Sequence, residues 1–186
     1  MTKVQTILGI DPGTKFLGFG LVRINEKGKA EFVDAGILDL HKEADSYAKL
    51  DRIYSFVDSL CSTYSPQCLA VESPFMGKNA QVVFKLGRAQ GVAIAAARHH
   101  GLEICEYAPR KAKIAVCGNG AASKEQVSLM VQKTLGIIIE EEHLDCTDAL
   151  AIALCHYYHL TSPFAGLKSS CSWEKFIAAN PDRIIK

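Results

Sequence analysis

The stretch Ile7-Leu-Gly-Ile-Asp-Pro-Gly-Thr14 decides the reading of this chain. Val4 to Ile10 is a short, β-branched apolar run, and Asp11-Pro-Gly closes it with a turn signal. The same pattern returns in Leu69-Ala-Val-Glu72, where a second apolar run ends on a carboxylate. In Leu144-Asp-Cys-Thr-Asp-Ala149, Asp145 and Asp148 open a long apolar run of helical character, three residues apart and so on one helix face. In an open α/β sheet, the carboxyl ends of parallel strands and the adjacent helix N-termini converge on one crevice. Four acids gathered there repel one another unless cations lie between them, and hard ions such as Mg²⁺ or Mn²⁺ favour oxygen ligands. The pattern points to two-metal phosphodiester cleavage.

Outward from these acids, the periodicity gives an element order. Phe16 to Ile24 and Ala30 to Leu38 have strand character and flank the loop Asn25-Glu-Lys-Gly28, which predicts a hairpin beside the first strand. From Asp45 to Tyr64 the period becomes helical, with Tyr47, Leu50, Tyr54, Val57 and Cys61 on one face and Ile53 and Leu60 widening it. Asp45 or Ser46 can cap this helix, and Pro66 ends it. Cys68 to Glu72 is a buried strand, and strand–helix–strand implies a parallel crossover.

Asn79 to His99 predicts a long helix with an apolar face of Val82, Val83, Leu86, Val92, Ile94 and Ala97. Gly87 and Gly91, four apart on it, permit close approach either of another helix within the domain or of a second subunit. Leu102 to Tyr107 is a further strand, Pro109 to Val116 a short helix, and Ser123-Lys-Glu-Gln126 a capping box opening a helix to about Leu135. The last firm helix runs from Asp145 to Leu160 with Ala149, Ile152, Ala153 and Tyr157 on one face. Residues 161–186 read as a tail with one short helix over Trp173 to Ala179. The order βββαβαβααα predicts an α/β fold: one mixed five-stranded sheet, its first three strands antiparallel, flanked by helices.

With 186 residues, 48% of them hydrophobic, the chain supports one folded core. It has no signal-peptide pattern and no apolar run near the ~20 residues of a membrane span. Its seven cysteines form no C-x-x-C, which argues for reduced thiols and a cytoplasmic setting, with Cys68, Cys105 and Cys155 in the core. Net charge is only +1, but its distribution is uneven. Nine Lys and Arg face three acids from Lys78 to Lys133, whereas Thr134 to His159 holds five acids and no Lys or Arg. A basic surface beside an acidic pocket suits a polyanion bridged to the acids by metal.

The element order and the acid positions resemble the ribonuclease H-like superfamily. Within it, the local motifs are similar to those of the RuvC family of bacterial Holliday-junction resolvases. The matching stretches are Gly9-Ile-Asp-Pro-Gly-Thr14, Val71-Glu-Ser-Pro-Phe-Met-Gly-Lys-Asn79, Leu86-Gly-Arg-Ala-Gln-Gly91, Gly118-Asn-Gly-Ala-Ala-Ser-Lys124 and Asp145-Cys-Thr-Asp-Ala-Leu-Ala151. The resemblance spans about residues 4–160, giving a nuclease domain over 1–160 and a tail over 161–186 outside the family pattern.

It implies that Asp11, Glu72, Asp145 and Asp148 bind two Mg²⁺ per subunit, with Mn²⁺ an alternative, and that Lys113 and Lys124 assist catalysis. It also implies that Phe75 wedges into the junction centre and that the products carry 5′-phosphate and 3′-hydroxyl ends. The expected partners are four-way junction DNA, a second copy of the chain in a homodimer, and a branch-migration complex of the RuvA–RuvB type. Lys78, Lys85, Arg88 and Arg110 are expected to position the DNA backbone rather than read bases.

Each residue also has an ordinary structural alternative. Asp11 could be a turn acid, the Asp145/Asp148 pair a complement to a helix dipole, the lysines solvated, and Phe75 a core residue. His143 reads as a loop histidine, and His156 and His159 as structural or surface residues. Rival functions are a phosphate-loop ATPase or kinase-like domain, a non-catalytic DNA-binding module of the same fold, and a nuclease acting on RNA–DNA hybrids.

Overall fold

In the computed structural model, residues 4–73, 79–139 and 144–162 are described. Strand β1 (Gln5–Pro12) pairs antiparallel with β2 (Phe16–Ile24), and β2 antiparallel with β3 (Ala30–Asp39). On its other side β1 runs parallel to β4 (Cys68–Glu72), which runs parallel to β5 (Glu103–Tyr107). The sheet order is β3-β2-β1-β4-β5, so the two acid-ended strands, β1 and β4, lie side by side at its centre. The predicted element order and antiparallel start are both present.

Because side chains alternate along a strand, each central strand feeds two cores. Leu8 and Ile10 of β1 and Leu69 and Val71 of β4 point to one face, covered by α1 (Ser46–Tyr64) and α2 (Ala80–His99). Ile7 of β1 and Cys68 and Ala70 of β4 point to the other, covered by α3 (Pro109–Cys117), α4 (Lys124–Leu135) and α5 (Leu144–Thr161). Asp11 and Glu72 share the parity of this second face, which places their carboxylates on the α5 side of the sheet.

Helix α5 is buried almost all round. From Cys146 to His156 only Asp148 is not fully buried, so the predicted single face of Ala149, Ile152, Ala153 and Tyr157 is too narrow. A helix enclosed between a sheet and two other helices has no solvent face to make polar. Its approach to the sheet depends on missing side chains. A Cβ on Gly9 would lie 2.1 Å from the Ala149 carbonyl oxygen, and one on Gly18 2.4 Å from that of Asp145. At its far end, the Tyr157 hydroxyl donates to the Gly28 carbonyl in the β2–β3 turn at 3.0 Å.

On the opposite face two expectations are corrected. In α1, Ile53, Val57, Leu60 and Cys61 make the core face, while Tyr47 and Tyr54 are exposed; a tyrosine at the edge of the stripe can keep its hydroxyl wet. In α2, the buried residues are Ala89, Gln90, Ala93, Ala96 and the predicted Ala97, with the predicted Val92 and Ile94 packed against the same core, while the predicted Val82, Val83 and Leu86 are not among them. Alanines let α2 lie close to its neighbours, and Val82 is left exposed. Nothing in the chain approaches within 4 Å of a Cβ on Gly87 or Gly91, so the tight intradomain contact is ruled out among the described residues.

The caps follow the sequence signals. Asp45 accepts from the Tyr47 and Ala48 amides, Asn79 from those of Gln81 and Val82, and the Ser123–Gln126 box is closed in both directions. Cys61, Cys68 and Cys155 are buried, and burial pushes their thiols up to about 11, 12 and 11. Cys105 is only partly buried, because β5 is an edge strand. No helix among the described residues is long and apolar enough to cross a membrane.

Substituting Gly18→Ala is expected to cost about 1–3 kcal/mol, since the added methyl meets backbone rather than a movable side chain. Urea unfolding should show a lowered midpoint for this variant.

Candidate active site

Three elements build the site. Asp11 lies one residue before the end of β1, and its Cα partner across the antiparallel pair is Gly18, the residue that admits α5. Ile10 pairs with Val71, so Glu72 emerges beside Asp11 on the neighbouring strand. The first turn of α5 brings Asp145 and Asp148 over the same strand ends. Asp11 feels the other three acids: burial first, then the charges of Glu72, Asp148 and Asp145, push its carboxyl up to about 7 from 3.8. Glu72 is raised by burial and by Asp148, with Lys113 opposing. Asp148 is raised by burial against the pull of Lys124.

The capping box fixes Lys124 as the first residue of α4, and its Nζ lies 2.5 Å from Asp145 Oδ1 and 3.2 Å from Asp148 Oδ2. Burial alone would lower its pKa, but the two carboxylates outweigh that and hold it above the ordinary lysine value. Lys113, on α3, donates from Nζ to the Ala122 carbonyl at 2.8 Å and keeps its charge within reach of Glu72 and Asp148. Both lysines expected to assist thus converge on the acids. No three His, Cys, Asp or Glu side chains among the described residues form a finished ion shell; instead, Lys124 stands between Asp145 and Asp148.

The other expected contacts fall elsewhere. Arg110 lies against Gly120 in the α3–α4 loop. Lys85 and Arg88 line a separate cleft against α1. His156 is buried and hydrogen-bonded through Nδ1 to the Tyr107 hydroxyl at 2.7 Å, a structural role, with His159 stacked beside it. Phe75, Lys78, His143 and the predicted helix over Trp173 to Ala179 lie outside the described residues. Sequence reasoning missed Gly18 as a determinant of the site; the signal available was Gly18-Phe-Gly20, glycine alternating within a strand that otherwise alternates apolar residues.

A mixed sheet with acids ending its two central strands, and two more on the helix across them, defines a nuclease-type fold of the ribonuclease H-like class. The chain belongs to the RuvC family: the profile described as crossover junction endodeoxyribonuclease RuvC matches residues 7–156. A relative of that name from Christiangramia forsetii is 47% identical over 180 residues, 97% of this chain and 93% of its own. One from Bacteroides fragilis is 46% identical over 98% of this chain and 97% of its own. These alignments extend past residue 162, so the segment after the described helix is shared with relatives. Among solved structures, Thermus thermophilus RuvC superposes with a TM-score of 0.73 at 33% identity, covering 82% of this chain and 94% of that one. The same protein in complex with Holliday junction substrate gives 0.76 at 32%, covering 83% and 94%.

The raised Asp11 carboxyl has a consequence for stability. The folded, metal-free protein keeps a proton on Asp11 up to about pH 7 that the unfolded chain releases near pH 4, so this group's contribution falls as pH rises between those values. Asp11→Asn should therefore stabilise the fold at pH 8, by on the order of 1–3 kcal/mol and with a raised melting temperature, and leave its stability nearly unchanged at pH 4. Calorimetry in EDTA at both pH values checks the sign.

Proposed function

We propose that this protein is a structure-selective endodeoxyribonuclease that resolves four-way DNA junctions by paired, symmetric nicks. The observation that carries the reading is the convergence of Asp11, Glu72, Asp145 and Asp148 with Lys113 and Lys124 at one end of the sheet, in a chain of the RuvC family. A DNA-binding module without catalysis would gain by losing these acids, because each repels the phosphate backbone.

The donor set is made of carboxylate oxygens only, and its mutual repulsion favours a hard divalent cation such as Mg²⁺ or Mn²⁺. Bound there, such ions would activate water and stabilise the leaving 3′ oxygen. The four acids would hold the ions, and Lys124, displaced by cation from its place between Asp145 and Asp148, would turn its charge to the scissile phosphate. Lys113, anchored on the Ala122 carbonyl, keeps a fixed positive charge facing Glu72 and the phosphate. A branch-migration complex of the RuvA–RuvB type and a cytoplasmic setting complete the reading; the six free cysteines of the described residues suit a reducing compartment.

Two symmetric nicks call for two symmetric sites, and a C₂ homodimer supplies them. The face of α2 opposite its alanine core carries Phe84, 72% exposed, with Gly87 and Gly91 at helical spacing. An exposed aromatic next to a strip without side chains is complementary to a copy of itself. Phe84 of one protomer can seat over the glycines of its partner.

A synthetic four-way junction, a matched duplex and an RNA–DNA hybrid, each with Mg²⁺ or EDTA, test the activity. Paired nicks are expected in the junction with Mg²⁺ alone. Asp148→Asn should abolish them while junction affinity stays equal or tightens, and Lys113→Ala should slow cleavage more than it weakens binding. Cleavage of the hybrid in place of the junction would refute the reading. For the dimer, Gly91→Leu is expected to give a folded monomer by analytical ultracentrifugation, since no atom of its own chain obstructs the new side chain.

A further inference from the structure

On the α1–α2 side of the sheet, away from the acids, a cleft of about 540 Å³ opens between three segments remote in sequence. They are the turn Gly13-Thr-Lys15 after β1, the start of α1, and the first half of α2. Its floor is apolar, with Leu40 and Ile53 buried in the core beneath it. Its rim carries four cations: Lys15, Lys49, Lys85 and Arg88. Lys15, Lys85 and Arg88 are exposed, and among the described residues none of the four takes part in an ion pair. Lys49 donates to the Thr14 carbonyl at 3.3 Å, which holds it over the turn. The rim's two acids are Glu43 and Asp45, and the Asp45 carboxylate is already engaged by the amides that open α1.

Unpaired cations grouped around an apolar floor are the arrangement of a site for a phosphate ester, whose charge meets the rim and whose sugar meets the floor. The position of the cleft narrows the choice. Thr14 is three residues from Asp11, so the two lie within about 11 Å along an extended chain. A DNA strand whose scissile phosphate lies at Asp11 carries its neighbouring phosphates past this turn within one or two nucleotides.

We infer that the cleft between the Gly13–Lys15 turn, α1 and α2 is a second DNA-backbone site, holding the strand that leaves the acid pocket over the end of β1. The inference rests on the junction reading above and adds Lys15 and Lys49 to the DNA-binding residues. The cleft then positions the substrate, because the strand is gripped on both faces of the sheet with the cut at the edge between them. Neutralising each phosphate contact releases condensed counterion, so every cation that binds adds close to one to the slope of log affinity against log salt concentration.

The test is binding of the metal-free protein to a fluorescent four-way junction in EDTA, over a series of NaCl concentrations. Lys15→Ala/Lys85→Ala is compared with the unaltered protein and with Lys27→Ala, a control in the β2–β3 turn at the other end of the sheet. The double variant is expected to lower the slope by about 1.5–2 and the control to leave it unchanged. Both sites are exposed, and circular dichroism verifies that the variant folds. An unchanged slope overturns the cleft assignment, while cleavage of the junction by unaltered protein in Mg²⁺ leaves the junction reading intact. Failure of the unaltered protein to bind junction overturns both. Saturable binding of a free mononucleotide, lost in the variant while the junction slope stays the same, would assign the cleft to a small ligand and refute the DNA site.

Discussion

Helix α5 rests on the sheet at a separation that leaves no room for a Cβ on Gly9 or Gly18, and the site depends on that separation. Asp11 and Glu72 are fixed by the sheet, at the ends of adjacent parallel strands. Asp145 and Asp148 are fixed only by where the first turn of α5 comes to lie. A carbonyl oxygen of Asp145 packed against the Gly18 backbone puts that turn directly over Asp11, its pairing partner. Moving the helix outward by the width of a methyl would separate the two pairs of carboxylates. The share of the electrostatic stress on Asp11 that comes from Asp148 and Asp145, added to burial and the charge of Glu72, is thus a direct result of backbone packing.

That stress is tolerated because cations are supplied from the same face. Helix α4 begins at a closed capping box, so Lys124 enters the pocket from a rigid first turn. Lys113 is held by a carbonyl of the loop joining α3 to α4. The Lys124 ammonium is committed to the two acids of α5, which leaves Asp11 and Glu72 without a direct ion pair among the described residues. Both are carboxylates whose protonation is raised by burial and like charge.

Much of this is legible in the sequence, and the exceptions have physical causes. Strand-ending acids and a capped helix are local signals, and Asp11, Glu72, Ser123 and Gln126 sit where local signals place them. The first half of the predicted face of α2 fails because valines dominate a hydropathy pattern, whereas Ala89, Ala93 and Ala96 bury little area each and win by allowing close packing; Ala97 follows the pattern. Tyr47 and Tyr54 follow the period of α1 yet face solvent, since periodicity does not register a hydroxyl. Lys15 and Lys49 carry no motif at all. Their grouping with Lys85 and Arg88 exists only once the turn, α1 and α2 are assembled. The glycines of α2 admit two readings from sequence, and the open space beside them removes one.

The cysteines divide between the two cores. Cys61 lies in the layer of α1 and α2, while Cys68 and Cys155 lie in the layer of α5, each with its thiol kept protonated by burial. A thiol in that state does not react with electrophiles until its layer opens. Each half of the molecule therefore carries its own internal clock: the rate at which an alkylating reagent reaches Cys61, set against the rate for Cys155, reports whether the helices on the two sides of the sheet come away together or one after the other.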